Sequence, residues 1–105
     1  MNTLHDELLT DPVYRRAYAI ESAMADAAET VARAMADKNM KKADLARELG
    51  RSRAWVTQLL NGSQNATIRT LAEVLYELNA KLVIEAIPFA SVQVDKPMPT
   101  TSLSE

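Results

Sequence analysis

The chain has 105 residues, room for one compact domain and its tails but little for a deeply enclosed reaction centre. Twelve Lys and Arg against fourteen Asp and Glu leave a net charge of −2, so the molecule as a whole is not a basic polyanion binder. Cysteine is absent and histidine occurs once, at His5, which removes disulfides, thiolate chemistry, His-rich metal sites and any Ser/His/Asp triad not built on the terminus. No catalytic residue, metal or cofactor is expected. The start MNTLHDELLTDP carries acids and no apolar core, and no apolar run reaches the length of a bilayer span. A soluble, cytoplasmic protein with no membrane partner is the expectation.

Punctuation by Gly and Pro is sparse. Proline stands only at Pro12, Pro88, Pro97 and Pro99, glycine only at Gly50 and Gly62. The proline-free interval is rich in Ala, Leu, Met, Glu, Arg and Lys, which predicts an all-α body broken at the two glycines. Residues 1–37 form a lead-in and a long N-terminal helix, opening where Asp11 can cap free amides and Pro12 needs no N–H. Val13, Ala17, Ile20, Met24, Ala27, Val31 and Ala34 then recur at steps of four and three. Such a seam packs either on the chain's own core or against a second copy. Its length also allows a bend near residues 21–23. His5 lies ahead of this helix, in a flexible terminus.

Residues 38–80 change texture. In MKKADLARELG, Leu45, Ala46 and Leu49 make one apolar face while Lys42, Asp44, Arg47 and Glu48 stay wet. Gly50 permits the sharp stop, and Ser52 is placed to cap a second helix. In that helix Val56, Leu59 and Leu60 face inward; Arg53, Ala54, Thr57, Gln58 and Asn61 take the other side, and Gly62 ends it. A small Ala46 at the crossing and an apolar Val56 as anchor complete a helix-turn-helix pattern. Charge is concentrated on the same stretch. Residues 38–62 hold six cations and two acids, a local +4, against −4 for residues 1–37 and −2 for residues 63–105. The near-neutral total thus conceals a basic centre with a geometry suited to a major groove.

Three segments, ADLARELG, SRAWVTQLLNG and NATIRTLAEVL, match in order and spacing and cover about half of the chain, from Met35 to Ala86. On these residues the sequence resembles the Xre/Cro/CI family of helix-turn-helix DNA-binding proteins. The resemblance implies a five-helix-type DNA-binding domain, here with a long N-terminal helix and a short C-terminal β-strand. Thr67 would cap a further helix with Ile68, Leu71, Ala72, Leu75 and Leu78 as its buried face. It further implies that the helix from Arg53 to Asn61 enters the major groove of double-stranded DNA. Arg53, Ala54, Thr57 and Gln58 would then touch base edges, while Lys42, Ser52, Trp55 and Asn61 hold phosphates. Trp55 is either a core residue or, as its neighbour Val56 already points inward, an exposed ring along the backbone. Two departures stand out. Arg51 occupies a position more often small or apolar, and Lys42 one where many members carry glutamine.

Residues 81–87, KLVIEAI, are rich in β-branched side chains, follow a helix break at Asn79 and end at Pro88. They read as a strand whose partner is a symmetry mate, or as coil or a helix extension on the core. Residues 88–105 carry three prolines and a Ser/Thr cluster and are expected to be a disordered tail. The expected function is a sequence-specific transcriptional regulator, a repressor on a palindromic operator, working as a homodimer. The lead-in LLTDPVYRRAYA and the LVIEA segment are also similar to HigA-like antitoxins, which implies an alternative function: neutralising a toxin protein and autoregulating a toxin–antitoxin operon.

Overall fold

The computed structural model describes residues 4–89. Five helices follow one another: α1 (Leu4–Leu8), α2 (Pro12–Lys38), α3 (Lys42–Leu49), α4 (Arg53–Leu60) and α5 (Ile68–Glu77). Local chemistry sets most of their ends. Asp11 accepts a hydrogen bond from the Val13 amide at the start of α2, with Pro12 at the first helical position. Asn39, Gly50 and Asn79 take left-handed backbone conformations after α2, α3 and α5. At each, the next amide returns to a carbonyl five residues back: Met40 to Met35, Arg51 to Ala46, Ala80 to Leu75. This double turn satisfies carbonyls a helix end would otherwise leave bare, and Asn and Gly adopt it at low cost.

The core lies where the C-terminal half of α2 meets α3, α4 and α5. Val31, Leu45 and Val56 are fully buried, with Val74, Leu75, Leu78, Leu59, Ala46 and Met35 around them. Each of the larger side chains contributes about 1.5–3 kcal/mol by leaving water. No polar or charged residue is buried among the described residues, so the core in which the four helices meet is apolar throughout.

Several expectations change. α2 runs unbroken through residues 21–23, where no Gly or Pro interrupts its hydrogen-bond ladder. Its apolar seam is buried only in the C-terminal half: Val31 is fully covered, but Val13 is 78% and Ile20 45% exposed, as α1 meets this part of α2 at Tyr14 and Tyr18 instead. The lead-in is not unstructured. α1 folds back so that His5 Nδ1 and the Tyr14 hydroxyl share a 2.6 Å hydrogen bond, and the His5 ring meets Tyr14 and Tyr18 edge-on. α5 buries Leu75 and Leu78 and packs Leu71 on the core as expected, but Val74 joins them while Ile68 and Ala72 face out.

The strand expected at residues 81–87 is not seen. A strand exists only as part of a ladder, and no other strand occurs among the described residues to pair with it. Leu82 turns back onto the core, while Val83, Ile84 and Ile87 remain exposed. The tail expected at 88–105 lies, from residue 90 onward, outside the described residues. No helix among those described is long and apolar enough to cross a membrane.

Candidate nucleic-acid interface

α3, the turn at Gly50–Ser52 and α4 form a helix-turn-helix. Lys41 stands at the N-cap of α3 but offers no side-chain cap. Asp44 compensates: its carboxylate accepts a 2.8 Å hydrogen bond from Arg47 and a further one from the Lys41 backbone. The Arg47 guanidinium, then the Lys41 amide, hold the Asp44 carboxyl below its ordinary value of 3.8. One of the two acids of the basic segment is therefore already paired.

Gly50 adopts φ +68° with no atom within 4 Å of where a Cβ would stand, so the backbone conformation rather than space requires glycine. Ser52 then caps α4: its hydroxyl oxygen accepts the Trp55 amide at 3.0 Å. With Val56 and Leu59 buried against α2 and α3, the rotation of α4 is fixed. At about 100° per residue, Arg53, Thr57, Asn61, Ala54 and Gln58 then fall within one arc of about 140°. All five are exposed. The arc carries a guanidinium, two amides, a hydroxyl and a methyl, a set that can match donors, acceptors and thymine methyls on base edges.

The residues expected to hold phosphates lie around this arc. Lys42, at the first position of α3, reaches across to α4 and donates from Nζ to Thr57 Oγ1 at 3.3 Å. Ser52 lies at the N-terminal end of α4 with its hydroxyl proton still available, as the cap uses only the oxygen. Asn61 terminates α4, its side-chain oxygen accepting the Ser63 amide at 3.0 Å and the Ser63 hydroxyl at 2.6 Å. That leaves its NH2 group as the outward donor. Trp55 falls at the margin of the arc, half-buried and packed against the core cluster on one side, with the Arg51 guanidinium over its ring.

The structure thus brings all eight sequence-expected residues to the helix-turn-helix and its flanks. The signals for the α4 face were the spacing of Val56 and Leu59 and the Ser52 cap. Three pairings were not anticipated: Lys42 with Thr57, Arg51 with Trp55, and Asp44 with Arg47. Only the last two carried a local signal, in their separations of four and three residues.

Residues 31–82 match the family model described as a Cro/C1-type HTH DNA-binding domain. No curated protein and no solved structure matches the chain.

Proposed function

The chain belongs, through residues 31–82, to the Cro/C1-type helix-turn-helix DNA-binding family, and from that premise we propose that it is a sequence-specific transcriptional repressor. It binds a palindromic operator as a homodimer in the cytoplasm, with no catalysis and no cofactor. α4 lies in the major groove. Arg53 addresses guanine O6/N7, Gln58 adenine N6/N7, Thr57 a base-edge donor or acceptor, and the Ala54 methyl a thymine methyl. Lys42, Ser52, Trp55 and Asn61 set the register through phosphates.

One observation carries this reading: the exposed arc of α4 sits at the centre of the one segment with net charge +4, on a helix whose rotation the core fixes. Groove readout needs chemically diverse side chains held rigidly over a positive surface. Selection of bound duplexes from random sequence, followed by titration across a salt series, tests it. A palindromic consensus bound with an affinity falling steeply with salt supports the reading. Enrichment of no sequence, with uniformly weak binding, removes specific regulation.

A second reading adds a protein partner, a toxin. The first 37 residues carry a net −4, and the same region exposes Leu4, Val13 and Ile20. An acidic surface with apolar anchors suits a basic protein. Co-expression with the product of the adjacent gene, if small and basic, tests it: a complex lost on Val13→Asp/Ile20→Asp supports the antitoxin role, and no complex excludes that gene product as the partner.

A further inference from the structure

Arg51 follows the glycine of the turn and precedes the serine that caps α4, at the point where the helix-turn-helix would meet the edge of the groove. Its guanidinium carbon lies 4.5 Å from the centroid of the Trp55 ring, within the range where the indole face attracts a cation. The ring is half-buried and packs against the core cluster, and the Ser52 cap on its own amide pins the first turn of α4. Arg51 itself is exposed, and the ion pairs among the described residues engage Arg33 and Arg47 instead. Among the described residues no acid holds its charge, in contrast to that of Arg47, held by Asp44 at 2.8 Å.

We propose that Arg51 and Trp55 form a phosphate clamp: Arg51 binds one backbone phosphate of the DNA, and Trp55 is the platform that holds the guanidinium in position for it. The proposal rests on the DNA-binding reading and adds a residue to it. Attraction to the ring uses the charge of the guanidinium and forms no hydrogen bond to a protein acceptor, so N–H groups turned away from the indole stay available, the donors that match two phosphate oxygens. A guanidinium placed on a rigid surface also loses less freedom on contact than one on a mobile stem. Trp55 then acts on DNA through Arg51, which replaces the direct phosphate contact assigned to it above.

The experiment uses the full chain and two duplexes, a selected site and an unrelated sequence, with binding measured over a salt series. Arg51→Ala should weaken both by about tenfold and lower the slope of log K against log salt by about one, with the thermal midpoint unchanged. Arg51→Lys should restore the slope but only part of the affinity, because an ammonium lacks the planar fork. Trp55→Leu should weaken binding with the slope retained, and adding it to Arg51→Ala should cost nothing further. Trp55 is the only tryptophan, so its emission reports the contact directly. It should change on DNA binding in the wild type and much less in Arg51→Ala. Unchanged affinity and slope in Arg51→Ala would show that the side chain only shields the ring and overturn the clamp. Fully additive losses would show that Trp55 contacts DNA by itself and overturn it equally. If Trp55→Leu does not fold, Trp55→Phe takes its place in the cycle. Failure of the wild type to bind either duplex at low salt is a separate result, which removes the DNA-binding reading and the clamp with it.

Discussion

Lys42 and Thr57, fifteen residues apart, are joined across the helix-turn-helix by a 3.3 Å hydrogen bond from Nζ to Oγ1. A residue expected to hold a phosphate thus touches one expected to read a base. The bond ties the start of α3 to the exposed face of α4, which itself is fixed only from below, through Val56 and Leu59. Lys42→Ala should weaken selected and unrelated duplexes alike and reduce the salt slope by about one, as expected for one lost phosphate contact. Thr57→Val should leave the slope intact and relax preference at a single base pair. The double variant should lose less than the sum of the two, since each partner orients the other. Strict additivity in a competition titration would mean that the bond does not persist in the complex.

Gln58 and Arg53 lie at the two edges of the α4 arc, so their effects should be separable. Gln58→Ala should cost about 1–3 kcal/mol on the selected site, almost nothing on an unrelated duplex, and relax selection at an adenine. Arg53→Ala should do the same at a guanine and also lower the salt slope, because it removes a charge. Repeating the selection with each variant gives the answer directly: if the consensus is unaltered, those side chains are ordinary helix surface.

The helix-turn-helix was legible in the sequence because its determinants are local. Gly50 for a left-handed turn, Ser52 as cap, and Leu45, Ala46, Val56 and Leu59 at helical spacing act within a few residues of one another. The α4 face followed, as whatever Val56 and Leu59 do not bury is exposed. For α5 the pattern places Leu71, Leu75 and Leu78 on the core but not Val74, for an equally physical reason. Ile68, Leu71, Ala72, Val74, Leu75 and Leu78 offer more apolar positions than one face can bury, and packing on α2 and α3 selects the side bearing Val74. Periodicity likewise marks α2 as amphipathic from Val13 to Ala34 but cannot say that the core covers only the C-terminal part of that seam, leaving Val13 and Ile20 exposed. Long-range pairs such as Lys42 with Thr57 leave no trace in spacing, since they depend on how the helices cross.

The turn at Gly50 should be sensitive to backbone conformation alone. With φ at +68° and no atom near the site of an added Cβ, Gly50→Ala should cost about 1–2 kcal/mol, all of it from left-handed strain. Gly50→Asn should recover most of that, as Asn39 and Asn79 already do at the ends of α2 and α5. Urea unfolding should show midpoints moving in this order with an unchanged m-value. Equal losses for Ala and Asn would point to steric crowding at the turn.

Asp44 predicts the sign of one pH effect. Its folded-state carboxyl lies below the ordinary 3.8, mainly through Arg47 and then the Lys41 amide. The folded chain therefore holds this carboxylate ionised to lower pH than the unfolded chain does. The contribution is fully present above the unfolded value and is lost as pH falls through the depressed folded one. Asp44→Asn should accordingly be less stable than the wild type at neutral pH, and the difference should shrink to nothing in strong acid. A gap between the two melting temperatures that stays constant down the acid range would show that the Arg47 contact does not distinguish the two states.

In the proposed homodimer two exposed apolar surfaces compete for the contact between copies, and their positions predict which one serves it. Val83, Ile84 and Ile87 follow the DNA-binding core directly, in a segment that makes no backbone hydrogen bond outside the helices among the described residues. Its free amides and carbonyls can pair with the same segment of a second copy, which would create the strand that one chain alone cannot form. Val13 and Ile20 lie on the part of α2 that projects beyond the core. Val83→Lys/Ile84→Lys should yield a folded monomer that keeps half-site contacts but loses tight binding to a palindrome, with half-sites about 34 Å apart. Val13→Asp/Ile20→Asp should remain dimeric and bind the full site normally. Sedimentation at micromolar concentration decides between them: a monomer from the α2 variant and a dimer from the other would place the interface on the seam of α2 and leave residues 81–87 unpaired.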